Sequence, residues 1–159
     1  MQVILAQLSL ILLNFSIATM IGGGFYEHIV LTPLWKVSPP SSFAVIQPKT
    51  GVPLQRFWIP VHIAITVFLL AAVFLTWGNG TVRLLLLVTL ISYVMMRVWS
   101  ALYFIPEMLA FQKISLDSTP TEAILARVNR WTFWTRFREP LNIVCFLGAL
   151  LAFHHLKGL

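Results

Sequence analysis

Four long apolar stretches divide the chain. Residues 3–21 are apolar except for Gln7, Ser9, Asn14, Ser16 and Thr19, and after Gly22-Gly23-Gly24 the chain continues through Tyr26-Glu27-His28 into another apolar run. Residues 58–77 contain one ionisable residue, His62. Residues 82–111 carry Arg83, Arg97 and Glu107, and residues 141–156 are mostly apolar after a helical lead-in that starts near Thr121. A bilayer core needs roughly 20 apolar residues per helix. The pattern therefore predicts four transmembrane helices at about 3–33, 57–77, 82–112 and 122–156. These runs are too long and continuous for barrel strands.

The connections set the topology. Pro39, Pro40, Pro48, Gly51 and Pro53 exclude a continuous helix between Lys36 and Phe57, and Phe43, Val45 and Ile46 give that loop an apolar side. It is expected to fold back as a lid over the neighbouring helix ends. Gly78-Asn79-Gly80 predicts a tight turn, so spans two and three should form a hairpin. Ser118-Thr119-Pro120-Thr121-Glu122 reads as a helix start with a hydroxyl cap. The expected fold is all-α: one transmembrane domain over 1–159, an up-down-up-down four-helix bundle with a structured loop between helices one and two.

Composition agrees with this reading. The chain is 58% hydrophobic and 10% charged, against about 25% charged in soluble domains. The first run has no Lys or Arg before it and no small-x-small cleavage site after it, so it is expected to remain a span rather than act as a signal peptide. The lone Cys145 lies inside span four and is read as packing. The net charge of +6 contains no basic run, so no nucleic-acid partner is expected. Lys36, Lys49, Arg56 and Lys113 outnumber Arg83 and Lys157, which puts the loops in the cytoplasm.

The intramembrane polar residues cluster near the loop-side helix ends. Tyr93, Arg97, Ser100, Phe104 and Glu107 fall within about 80° of one another on an α-helix. Ser9, Ser16, Gly23 and Glu27 line one face of span one, and Arg127, Trp131, Trp134, Arg138, Asn142 and Cys145 line one face of span four. Lipid-facing charges are costly, so these stripes are expected to face inward and meet. The three glycines would permit a kink or a close helix contact there.

Three chemistries fit this set. Glu27, His28, His62 and Glu107 could ligate a transition metal, iron or zinc, although no local ligand motif such as HxxxH is present. Alternatively, Glu27, Glu107 and Glu139 neutralise Arg97, Arg130 and Arg138 in a structural network. The third is acid–base catalysis by Glu27, His28, Arg97, Glu107 and Arg138, with Tyr26, Tyr103, Trp134 and Asn142 contacting substrate. Arg97 is expected to pair with Glu27 or Glu139, or with Glu107 through water. The functional expectation is a small membrane enzyme acting on a hydrophobic molecule by oxidation or proton transfer. The other class is non-enzymatic: a small-molecule carrier or a complex subunit, with lipids as neighbours and a homo-oligomer left open.

The segments "FYEHIVLTPLW", "YFIPEM" and "RWTFWTRFREPLNIV" together resemble small bacterial four-span membrane proteins grouped with the anthrone-oxygenase-like family. The resemblance covers nearly the whole chain. It places Trp131, Trp134 and Arg138 at the entry to the last span. It implies a bacterial inner-membrane protein and a polycyclic aromatic type of substrate, handled without metal or flavin.

Overall fold

The structure, a computed structural model, describes residues 1–158. Four helical segments are long and apolar enough to cross a membrane: Gln2–Lys36, Gln55–Leu75, Gly80–Gln112 and Glu122–Lys157. They form the bundle of an integral membrane protein. Span one consists of α1 (Gln2–Tyr26), a π-helical turn (Glu27–Leu31) and α2 (Thr32–Lys36). Span two is α3 (Gln55–Leu75). Span three consists of α4 (Gly80–Trp99), a second π-helical turn (Ser100–Phe104) and α5 (Ile105–Gln112). Span four is α6 (Glu122–Thr135) and α7 (Arg138–Lys157).

Both π turns precede a proline. Pro33 and Pro106 sit in the first turn of α2 and α5. A proline donates no N–H and its ring crowds the carbonyl four residues back. Widening the preceding turn relieves that crowding without ending the helix. Helix starts follow the sequence signals: Asn79 accepts from Val82 N at 3.1 Å, and Thr121 Oγ1 accepts from Ile124 N at 3.3 Å.

Packing is uneven around the bundle. The α4–α7, α1–α3 and α1–α7 pairs share long seams, whereas α3 and α4 meet only sparingly. The expected hairpin between spans two and three thus has its turn but splays apart above it. Small and polar residues hold the tight seams. Gly148 lies against Thr89, where a side chain would collide with the threonine hydroxyl. Asn14 Nδ2 donates to the Ala149 carbonyl at 3.2 Å. Cys145 is buried and its thiol donates to Thr89 O at 3.5 Å. Such contacts substitute for hydrophobic association, which lipid does not provide.

A separate aromatic cluster closes the loop side. Trp35, Phe43, Ile46, Phe104, Phe111 and Trp131 are all buried there. The loop between spans one and two therefore docks through Phe43 and Ile46. Gln112 Nε2 donates to Ile46 O at 2.7 Å, and Gln47 Nε2 returns a bond to Gln112 O at 3.2 Å. The folded-back lid is present.

Candidate functional site

Splaying of spans two and three leaves a cavity of about 700 Å³ between them. Its outer walls are aliphatic: Ile59, Ile63 and Val67 from α3, and Ile105, Met108 and Leu109 from span three. Ile59 and Ile63 are each 58% exposed, so the outer wall is apolar and open to the surface of the bundle. Ile46, Pro48, Val52 and Leu54 of the lid border it on the loop side. Glu27 and Arg138 reach it from spans one and four behind.

The polar groups form a connected array. Trp58, His62 and Thr66 recur at i, i+4 and i+8 and so share one face of α3. Arg97 Nη1 lies 2.8 Å from His62 Nε2. A guanidinium only donates, so Nε2 is the acceptor and Nδ1 carries the imidazole proton. Nδ1 lies 3.2 Å from the Tyr93 hydroxyl. That hydroxyl can donate onward to Thr66 Oγ1 at 3.3 Å or to His62 O at 3.2 Å. The Trp58 indole stacks on His62 at 5.7 Å between centroids and donates to Glu27 Oε2 at 3.0 Å. One line of contacts thus joins span three, span two and span one.

Behind this array lies a recess of about 10 Å³. Glu27, His28, His62, Arg138, Glu139 and Asn142 all border it. Glu27 and His28 reach it together from the π turn of span one. The glycines before them stay inside regular α1 and do not kink it. Gly23 and Gly24 serve close approach, while Gly22 faces open space. A side chain on Gly23 would collide with Phe57, and one on Gly24 would come 2.6 Å from Glu139 Oε1.

Several expected site residues lie elsewhere. Glu107 is outside both the cavity and the recess and pairs with Arg127 at 3.0 Å. The π turn at Ser100–Phe104 is the reason. It adds a residue to one turn, so every later position rotates off the stripe extrapolated at about 100° per residue. The proposed ligand set of His28, His62, Glu27 and Glu107 is corrected accordingly. Among the described residues, no group of three or more His, Cys, Asp and Glu side chains is placed to hold a metal ion.

The expected charge network is also corrected. Among the described residues the one ion pair is Arg127–Glu107, so Arg97 pairs with neutral His62 rather than with an acid. The Arg138 guanidinium lies over the Phe104 ring at 4.9 Å.

Of the expected substrate contacts, Asn142 is buried at the recess. Tyr26 is exposed and borders a different groove, about 600 Å³, between spans one and two. Tyr103 packs against Phe104 outside the cavity, and Trp134 is 41% exposed on the outer surface beside Trp99, Phe133 and Phe137. The aromatic cavity walls are instead Trp58, Tyr93, Phe104 and Trp131. Neither Trp58 nor Trp131 is among the expected substrate contacts. The i, i+4 spacing of Trp58 with His62 was the signal for the first, and the place of Trp131 on the polar face of span four was the signal for the second.

Compared with protein-family models, curated proteins and solved structures, the chain matches none.

Proposed function

We propose that this chain is a membrane enzyme that admits a lipophilic small molecule sideways from the bilayer and transfers a proton at the polar floor of the cavity. The observation that carries this reading is a mostly aliphatic cavity of about 700 Å³, open between spans two and three, with Arg97, His62, Tyr93 and Glu27 on its wall. Pockets of this size, mostly apolar with a few convergent polar groups, suit small-molecule ligands.

Of the two expected reactions, proton transfer is the one whose groups the cavity supplies. In this reading the carbonyl oxygen of the bound ketone is held at Arg97 and a C–H beside the carbonyl faces Glu27, both of which border the cavity. Glu27 would take a proton from the carbon beside the carbonyl. The C–H electron pair would become a C=C bond, and the carbonyl π pair would move to oxygen, where Arg97 stabilises the enolate. Return of the proton to either end of the enolate completes an exchange or an isomerisation. A relationship to the anthrone-oxygenase-like family, set in a bacterial inner membrane, would suit a bulky aromatic ketone.

The test is hydrogen exchange. Proteoliposomes in D2O are incubated with a panel of lipophilic ketones. Deuterium is expected beside the carbonyl only with the wild-type protein, and Glu27→Gln should abolish it. Equal incorporation in empty vesicles, or undiminished incorporation with Glu27→Gln, would overturn the reading.

One observation favours a carrier as the second reading. Glu27 and Trp58 border both the cavity and the groove on the other side of span two. Protein-dependent movement of the same ketones across the vesicle without deuterium uptake would support it.

A further inference from the structure

We infer that the recess behind the cavity is a binding site for one water molecule, and that Glu27 exchanges its proton through it. Two residues that line it, Arg138 and Asn142, each have a buried polar atom, Nε and Oδ1, with no hydrogen-bond partner among the described residues. Asn142 is only 3% exposed. Buried polar atoms are otherwise nearly always paired. The two atoms make opposite demands. Arg138 Nε–H only donates, and Asn142 Oδ1 only accepts. A bound anion would satisfy the first and repel the second, and a metal cation would do the reverse. A group that both accepts and donates satisfies both.

Size selects among such groups. The recess measures about 10 Å³, close to a single water-sized sphere. Asn142 Nδ2 is already used, donating to Glu139 Oε2 at 3.2 Å, so the orientation that leaves Oδ1 free has its own support. Gly24 contributes by its lack of a side chain, which lets Glu139 approach span one.

The site gives Glu27 two faces. One borders the cavity and the other borders the recess. A proton taken on the cavity side can leave on the recess side, toward His28 and Glu139, without passing the bound molecule. Use of this route in turnover rests on the proton transfer proposed above. The water, and the exchange it carries, need no substrate.

Two measurements on the purified protein test it. A structure at a resolution that shows ordered water should reveal one peak within hydrogen-bond distance of both Arg138 Nε and Asn142 Oδ1. Infrared spectroscopy should follow deuteration of the Glu27 carboxyl, assigned by its loss in Glu27→Gln, at a pH where the protonated band is present. Asn142→Leu should remove the peak and slow that deuteration about tenfold or more, the kinetic equivalent of one lost hydrogen bond. Asn142→Asp keeps an acceptor of the same shape and, at a pH where it shares a proton with Glu139, should keep the water. Gly24→Ala, which narrows the recess wall, is the second probe should Asn142→Leu not fold. No peak in the wild-type recess, or unchanged deuteration in the altered proteins, would overturn the inference. Either result would leave the ketone exchange test standing on its own.

Discussion

Arg97→Leu is expected to leave the protein folded while lowering ketone exchange by about 100-fold or more, the usual loss when one oxyanion donor is removed. Arg97 has no acid partner among the described residues, so its removal strands no buried carboxylate. His62 loses one hydrogen bond but keeps Tyr93 on its other nitrogen. A melting temperature within a few degrees of wild type is therefore expected alongside the loss of exchange. A large drop in melting temperature with exchange per folded molecule unchanged would mean that Arg97 is structural. Arg97→Lys should recover part of the exchange, since it keeps a charge but not the planar fork.

Phe43→Ala is expected to destabilise the docked lid by about 3–5 kcal/mol, the usual cost of deleting a fully buried aromatic side chain. Phe43 is 0% exposed and stacks on Phe111 at 5.3 Å and near Trp35 at 6.2 Å. It is the largest anchor of the loop between spans one and two. The lid should undock locally before the bundle melts, because the α1–α3 and α4–α7 seams do not include it. Limited proteolysis in detergent should then cut between residues 40 and 55 in the altered protein and not in wild type. Equal resistance in both would show that the lid is held by other contacts.

The spans and the lid were legible because each follows from a local signal. Apolar runs of membrane length give the helices, and prolines with buried aromatics give a stiff loop that folds back. The grouping of Glu27, His28, His62, Arg97 and Arg138 near the loop-side ends was legible from the cost of charge in lipid. Three things were not.

First, counting regular α-helix across Ser100–Phe104 puts Glu107 on the stripe of span three, and the π turn there moves it off. Pro106 was the available warning, since it implies a widened turn. Second, opposite charges at similar depth suggested ion pairs, yet depth does not fix azimuth. Arg97 instead meets His62, whose nitrogen can accept a hydrogen bond without a charge. Third, a short turn after span two implied close packing with span three. The long seams of α1 with α3 and of α4 with α7 hold those helices elsewhere, and the cavity is the result. Helical spacing puts Trp131 and Trp134 on one face about 60° apart, and that offset leaves Trp131 in the cavity wall and Trp134 on the outer surface.

The central claim is that lipophilic molecules enter between spans two and three. A lipophilic ketone bearing an aliphatic diazirine, photolysed with the protein in vesicles and mapped by mass spectrometry, tests it most directly. Adducts should concentrate on Ile59, Ile63, Ile105 and Leu109, which border the cavity, and excess unlabelled ketone should suppress them. Ile4, Leu8 and Leu147, exposed on other faces, should be labelled weakly and without competition. Labelling spread evenly over all exposed apolar positions, unaffected by competitor, would contradict the account.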